Sequence, residues 1–187
     1  PDTLPITENH PLKPITPYCV SKVAGEYLLK MSMFEDLNYT ILRFFNVYGI
    51  RQPIDAYYTS VIINMIKRIL NNLDLVIMGD GTQAMDFIYV TDVVKALILS
   101  MDKKADRETF NVGSGTMTTI NDLAKLLINI SGCKVNIRHE PGAKLIVRRR
   151  QADISKITSI LGFKPEVDLA RGLRLVYDDI KKHPELY

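Results

Sequence analysis

Long apolar runs, paired cysteines and clustered histidines are what this sequence lacks, and each absence removes a class of function. Stretches such as Leu97 to Leu99 or Leu126 to Ile128 are far too short to cross a bilayer. No basic-then-apolar leader opens the chain, so it reads as cytoplasmic with no membrane partner. The two cysteines, Cys19 and Cys133, have neither metal-ligand spacing nor a disulfide framework, which fits a reducing compartment. His10, His139 and His183 are scattered, and no metal site is expected. Charge of one sign is also scarce: the net value is only +3, so an anionic small ligand suits the chain as well as a nucleic acid does.

What is present is ordinary globular material, 47% hydrophobic and 24% charged over 187 residues. That is enough for one substantial domain, or a small one plus part of another. The chain opens on Pro1 rather than a methionine, from which a missing upstream segment is expected.

Five prolines between Pro1 and Pro17 predict a loop, since proline removes backbone donors and extends the residue before it. From Tyr18 the apolar residues Val20, Val23, Ala24, Tyr27, Leu28 and Met31 recur at helical spacing, with Pro17 suited to the helix entry. Tyr39 to Phe45 reads as a buried strand ending in an Asn46-Val47-Tyr48-Gly49 turn. A helix is expected over about Tyr57 to Leu70. Leu75 to Met78 and Met85 to Tyr89 flank Gly79-Asp80-Gly81, whose Asp-Gly step predicts a hairpin. Further helices are expected from Thr91-Asp92 to Met101, Ile120 to Ile130, Asp153 to Leu161 and Leu169 to Lys182, with strands at Thr109 to Val112 and Val135 to Arg138. Strands alternating with helices point to a parallel α/β sheet, but too few strands are present to complete one.

The chemical clue is Pro17-Tyr18-Cys19-Val20-Ser21-Lys22, a tyrosine and a lysine four residues apart on one helix face. An ammonium near a phenol favours the phenolate, which can then take a proton from a sugar hydroxyl. The spacing alone is not specific, because Tyr177 and Lys181 repeat it on the last helix. Tyr18 differs in its setting: a proline-rich approach, Ser21 beside the lysine, and Gly25-Glu26 one turn later.

Here the sequence resembles the extended short-chain dehydrogenase/reductase family, specifically its nucleotide-sugar epimerases and dehydratases of the UDP-glucose 4-epimerase type. The resemblance continues in order through Arg43-Phe44-Phe45-Asn46-Val47-Tyr48-Gly49 with Arg51-Gln52-Pro53, and Gly79-Asp80-Gly81-Thr82-Gln83 with Asp86-Phe87-Ile88-Tyr89-Val90 and Asp92. It goes on through Phe110-Asn111-Val112-Gly113-Ser114-Gly115, Ala152-Asp153-Ile154-Ser155-Lys156 and Leu161-Gly162-Phe163-Lys164-Pro165. It implies the C-terminal part of a Rossmann-type parallel sheet plus a smaller α+β substrate-binding lobe. Residues 1–56 would end the NAD-binding domain and 57–187 would form mostly the lobe, with 86–115 returning to the sheet.

The resemblance also implies NAD as cofactor, a nucleotide-diphosphate sugar as partner, and a homodimer for the intact enzyme through the tyrosine-bearing helix and the helix before it. Tyr18 and Lys22 would be catalytic and, with Phe45, would touch the cofactor; Asn46, Arg51, Val76 and Arg149 would touch substrate. The favoured activity is a 4-epimerase working through a 4-keto intermediate, with a 4,6-dehydratase or decarboxylase next. A catalytically inert binding fragment is the reading from another class.

Several motif residues also have plainer readings. Arg43 reads as a structural partner at its strand end, Glu26 as a solvated helix charge, and Asp92 as a helix-start residue. Arg148-Arg149-Arg150, the densest cationic run, suits a diphosphate, since guanidinium forks onto phosphate oxygens. No nucleic-acid module accompanies it. Two departures from the family pattern stand out. The chain has no Gly-x-x-Gly-x-x-Gly to cradle a dinucleotide. Met85 also stands where many members carry a phosphate-contacting arginine, and a thioether cannot replace that charge. Thr16 is left out of the site because it lies in the loop before Pro17-Tyr18.

Overall fold

The computed structural model of the chain describes residues 1–31, 36–52, 60–142 and 148–187. The start of the second expected helix at Tyr57 to Thr59, together with Pro53, lies outside the described residues.

The first helix, α1, spans Pro17–Lys30. Pro17 occupies its first turn, where a missing N–H costs nothing, and Thr16 caps it by accepting a hydrogen bond from the Cys19 N–H at 3.2 Å. Thr16 is therefore a structural cap. Strand β1 is Thr40–Phe44. The chain then continues as β2, Asn46–Tyr48, where a turn had been expected. The reason is a change of partner. The Phe45 N–H still donates to Val112 O at 2.9 Å, whereas the Asn46 N–H donates to Asp86 O at 3.1 Å. One extended segment thus leaves one strand and joins another.

Helix α2, Val61–Leu70, buries Ile62, Ile63, Met65, Ile66 and Ile69, and places Lys67 and Arg68 in its last turn, where cations suit the helix dipole. Each fully buried isoleucine contributes roughly 1.5–3 kcal/mol. Strand β3 is Leu75–Met78, β4 is Ala84–Met85, and β5 is Phe87–Tyr89, which runs into α3, Val90–Leu99. Next come β6, Glu108–Val112; β7, Thr118–Thr119; α4, Ile120–Ser131; β8, Ile137–Glu140; α5, Ser155–Leu161; and α6, Leu169–Lys182.

Three parallel pairs carry the fold: β1 with β6, β2 with β5, and β3 with β8. Among the described residues, only β4 and β7 pair antiparallel. The hairpin expected around Gly79-Asp80-Gly81 is therefore absent, because β3 pairs with β8 and not with the segment that follows it. The glycines do form a turn, with Gly79 at φ 80° and Gly81 at φ 71°. Asp80 between them accepts from the Thr82 N–H and hydroxyl at 3.0 and 2.8 Å, and this local closure redirects the chain away from β3.

Two apolar cores lie on the two sides of this arrangement. One gathers α2, β3, α4 and α6 around Ile66, Leu75, Leu123 and Val176. The other gathers Ile88, Val93, Phe110, Ile157 and Phe163. The fold is thus α/β with parallel strands, and among the described residues no helix is long and apolar enough to cross a membrane.

Candidate active site

The two Tyr-x-x-x-Lys occurrences separate cleanly in three dimensions. Tyr177 is 5% exposed in the α6 core, where burial raises its phenol above the ordinary value and keeps it from any ligand. Tyr18 is 63% exposed in the first turn of α1. The Lys22 ammonium lies 5.4 Å from the Tyr18 ring centroid, so the four-residue spacing brings charge and phenol together. Tyr18 shares an open cleft of about 410 Å³ with Ile6, Phe44, Phe45, Asn46 and Arg150.

A second pocket, of about 530 Å³, shares Asn46 with it and is lined by one face of α2 and by residues of β3. Val76 and Met78 line it, together with Asn64, Arg68, Gln83 and Met85. Asn46 lines both cavities. It sits where the extended segment passes from β6 to β5, and such a change of partner opens a crevice at strand ends, the usual ligand position in α/β sheets. One of its amide hydrogens is spent on Asp86 O at 2.9 Å, which fixes the side chain at the boundary between the cavities.

Arg51 and Arg149 are placed differently. Arg51 has φ 60° and donates its backbone N–H to the Tyr187 hydroxyl, and neither cavity is lined by it. Arg149 forms a parallel bridge with Ala84. Neighbouring residues in extended chain face opposite ways, and it is Arg150 that lines the Tyr18 cleft. Sequence spacing could not choose between these arginines, because the choice depends on which residue pairs with Ala84. Ile6, which no local motif marks in the proline-rich opening, also lines the cleft. It bridges Ala152 through N–H to Gln151 O at 2.7 Å and accepts from the Asp153 N–H at 2.9 Å, closing one wall of the cleft.

Charged residues behind the cleft hold its frame. Arg43 is the structural partner expected, forking onto Glu26 at 2.8 and 2.7 Å and donating to Glu8 O at 2.8 Å. Glu26 is accordingly not a solvated helix charge: its side chain is only 14% exposed, and the Arg43 fork holds its carboxyl below the ordinary value. Asp92 stands in the first turn of α3, as expected of a helix-start residue, but it is buried and accepts from the Glu166 and Val167 N–H groups at 3.0 and 3.1 Å.

Fully buried Asp86 accepts from the Ser114 N–H and hydroxyl, both at 2.7 Å, and from the Gly115 and Ala152 N–H groups at 3.0 Å. Glycine is needed at 113 because a Cβ there would lie 2.9 Å from Asp86 Oδ2 and 2.6 Å from Ala152 Cβ.

A parallel α/β frame thus carries an exposed phenol and a neighbouring ammonium beside two cavities joined at Asn46. The NAD dependent epimerase/dehydratase family model matches residues 1–113, and the chain belongs to that family. It is similar to the UDP-glucose 4-epimerase of Thermotoga maritima solved with UDP-glucose, at 37% identity and TM-score 0.91, covering 97% of this chain and 59% of that one. It is similar also to the UDP-glucuronic acid 4-epimerase of Bacillus cereus solved with UDP-glucuronic acid and NAD, at 32% identity and TM-score 0.86, covering 96% and 57%. A dTDP-glucose 4,6-dehydratase of an Actinoplanes strain is 31% identical over 92% of this chain and 53% of its own length. The chain thus spans little more than half the length of these relatives.

NAD is the cofactor of the family. The residues here fit one end of it. The aromatic and apolar wall of Phe44, Phe45 and Ile6, beside the Tyr18 hydroxyl and the Arg150 cation, suits a flat nicotinamide and its ribose.

Proposed function

We propose that this chain is the catalytic and substrate-binding part of an NAD-dependent nucleotide-sugar 4-epimerase. The observation that carries the reading is Asn46, which lines both the Tyr18 cleft and the Val76 pocket and so marks the path of a single elongated ligand. The sugar lies against Tyr18 and Asn46, while the nucleotide occupies the pocket over Val76. Bound NAD supplies a hydride acceptor and donor.

The protein's own part is proton transfer and orientation. Tyr18, with the Lys22 ammonium 5.4 Å from its ring centroid, takes the proton of the sugar C4 hydroxyl and returns it after the 4-keto sugar has rotated. Lys22 holds the nicotinamide ribose, Phe45 flanks the ring, and Arg150, rather than Arg149 or Arg51, faces the diphosphate side of the cleft. Residues 1–56 serve the cofactor side and 57–187 mostly the substrate, with 86–115 returning to the sheet; Ile88, Val93, Phe110 and Val112 sharing one core supports that return, although Ile157 and Phe163 join the same core. The exposed apolar residues Val20, Tyr27 and Leu28 on α1, with Met31 at its C-cap, support a homodimer of the complete enzyme through that helix. A cytoplasmic location fits the free cysteines.

The test is turnover of UDP-glucose by the complete polypeptide with NAD, followed by product analysis. A 4-epimer is expected, and Tyr18→Phe should lower the rate by about 10²–10⁴ while leaving nucleotide binding in place. Undiminished conversion by Tyr18→Phe overturns the mechanism. Release of a dehydrated sugar from UDP-glucose, or of a decarboxylated sugar when UDP-glucuronic acid is supplied, in place of the epimer assigns the neighbouring activity of the same family. The 187-residue chain alone, without a glycine-rich dinucleotide cradle, should bind nucleotide without turnover.

A further inference from the structure

We infer that Tyr187 is a positioning residue for ligand binding: through the Arg51 backbone it latches the connection from β2 to α2, whose two ends line the Val76 pocket. The inference rests on the nucleotide-sugar reading of that pocket and adds a residue, lining neither that pocket nor the Tyr18 cleft, that sets how firmly the ligand is held.

Asn46 in β2 and Val61 at the start of α2 both line the pocket, so the chain between them ties one part of its wall to another. Residues 49–52 are the described part of that connection. Gly49 lies so close to Val90 that an added Cβ would collide with the valine side chain. The Ile50 N–H donates to the hydroxyl of Tyr89 in β5. Both of these holds come from the stretch 86–90 that already fastens Asn46 through Asp86 O. The third hold is independent of it. The Arg51 N–H donates to the hydroxyl of Tyr187, which follows the turn Pro184–Leu186 beyond α6.

Arg51 has φ 60°, a backbone conformation that a non-glycine residue keeps only where its surroundings hold it. Tyr187 is equipped to do so. Its ring packs against the core shared by α2, α4 and α6, and its hydroxyl donates to Asp179 Oδ2 at 2.6 Å. Burial, aided by that bond, pushes the phenol up to about 12, so the proton stays with the Tyr187 and Asp179 pair. A lone pair of the hydroxyl oxygen is then available to the Arg51 N–H. The line from Asp179 through Tyr187 to Arg51 thus carries the rigidity of the α6 core to the connection. Tyr18 and Lys22 stand apart from it on α1. A residue acting in this way changes binding more than the chemical step.

Amide hydrogen exchange and steady-state kinetics on the complete polypeptide test this, with Tyr187→Phe as the main variant because it keeps the packed ring and removes only the oxygen. Exchange in peptides covering residues 49–52 should rise by about fivefold, the worth of one hydrogen bond, with α4 and β6 unchanged. KM for the nucleotide sugar turned over should rise by about fivefold, with kcat within about twofold. Asp179→Asn, whose amide oxygen still accepts from the Tyr187 hydroxyl, should stay within about twofold of the unaltered protein in both readouts. Unchanged exchange at residues 49–52 in Tyr187→Phe overturns the latch. So does a uniform rise along the chain, which would make Tyr187 a contributor to global stability alone. Faster local exchange with an unchanged KM overturns the positioning role. If the unaltered polypeptide neither binds nor turns over a nucleotide sugar, the functional reading falls and the role in binding falls with it, while the exchange result still decides whether Tyr187 latches Arg51.

Discussion

Asn46 is fastened to Asp86 twice: its backbone N–H and its side-chain Nδ2 both donate to the Asp86 carbonyl, at 3.1 and 2.9 Å. The Asp86 carboxylate, on the same residue, gathers the Ser114, Gly115 and Ala152 N–H groups. The residue shared by the two cavities is thus held by the residue that ties the Gly113-Ser114-Gly115 loop to the C-terminal segment.

Asp86→Ala should be among the most damaging single changes in the chain. It strips an acceptor from three backbone N–H groups and the Ser114 hydroxyl in a fully buried position. Each buried donor left without a partner costs about 1–3 kcal/mol. A loss of about 3 kcal/mol or more is expected in urea unfolding. A shift below about 1 kcal/mol would show that Asp86 does not hold the frame.

Asn46→Ala should separate binding from folding. The side-chain bond to Asp86 O is lost but the backbone bond stays, so the expected destabilisation is only about 1 kcal/mol. Turnover in the complete enzyme should fall by tenfold or more if Asn46 orients the sugar. Unchanged kcat and KM would remove Asn46 from the site.

Glu26 should contribute stability that depends on pH. Its hydrogen-bonded fork with Arg43, aided by Lys30, holds the carboxyl below its ordinary value of 4.5, against the opposing effect of burial. A depressed folded-state pKa gives stability that is present above about 4.5 and is lost as pH falls through the folded value. The unaltered chain should therefore be more stable than Glu26→Gln at pH 7, with the difference shrinking below about pH 4.5. Urea midpoints measured from pH 7 to 3 check this, and a constant difference would contradict it.

Gly172→Ala should destabilise even though alanine is the better helix former. Gly172 lies inside α6 against Tyr48 and Tyr89, and an added Cβ would collide with the Tyr48 hydroxyl and sit 2.8 Å from its Cζ. Overpacking against a rigid aromatic ring costs about 1–3 kcal/mol. Tyr48→Phe removes the colliding oxygen and should recover part of that loss in the double variant. Strict additivity of the two changes would argue against the contact.

Much of this architecture was legible in the residues themselves. The helices α1, α2, α4 and α6 declare themselves through apolar spacing, through Thr119 and Asp168 accepting from Asp122 and Arg171 at their starts, and through Gly132 closing α4 at φ 69°. Tyr18 with Lys22, and the ordered motifs around Arg43, Asp86 and Asp153, pointed to the family because local sequence encodes turn chemistry and helix faces. The error at Gly79-Asp80-Gly81 has a different origin. An Asp-Gly step says that the chain turns, but not whether the flanking strands pair with each other, and here β8, some sixty residues on, takes the place beside β3.

The residue types, the helix faces and the chemical identity of the phenol and ammonium pair were thus determined by the sequence alone, because they depend on neighbours within a turn or two. Only the tertiary structure decided which tyrosine is exposed, that Arg150 rather than Arg149 lines the cleft, that Glu26 is ion-paired, and that Asn46 joins two cavities. Those outcomes depend on which distant strands pair and which side chains burial removes from water. Such choices are set by the free energy of the whole packed chain rather than by any short segment of it.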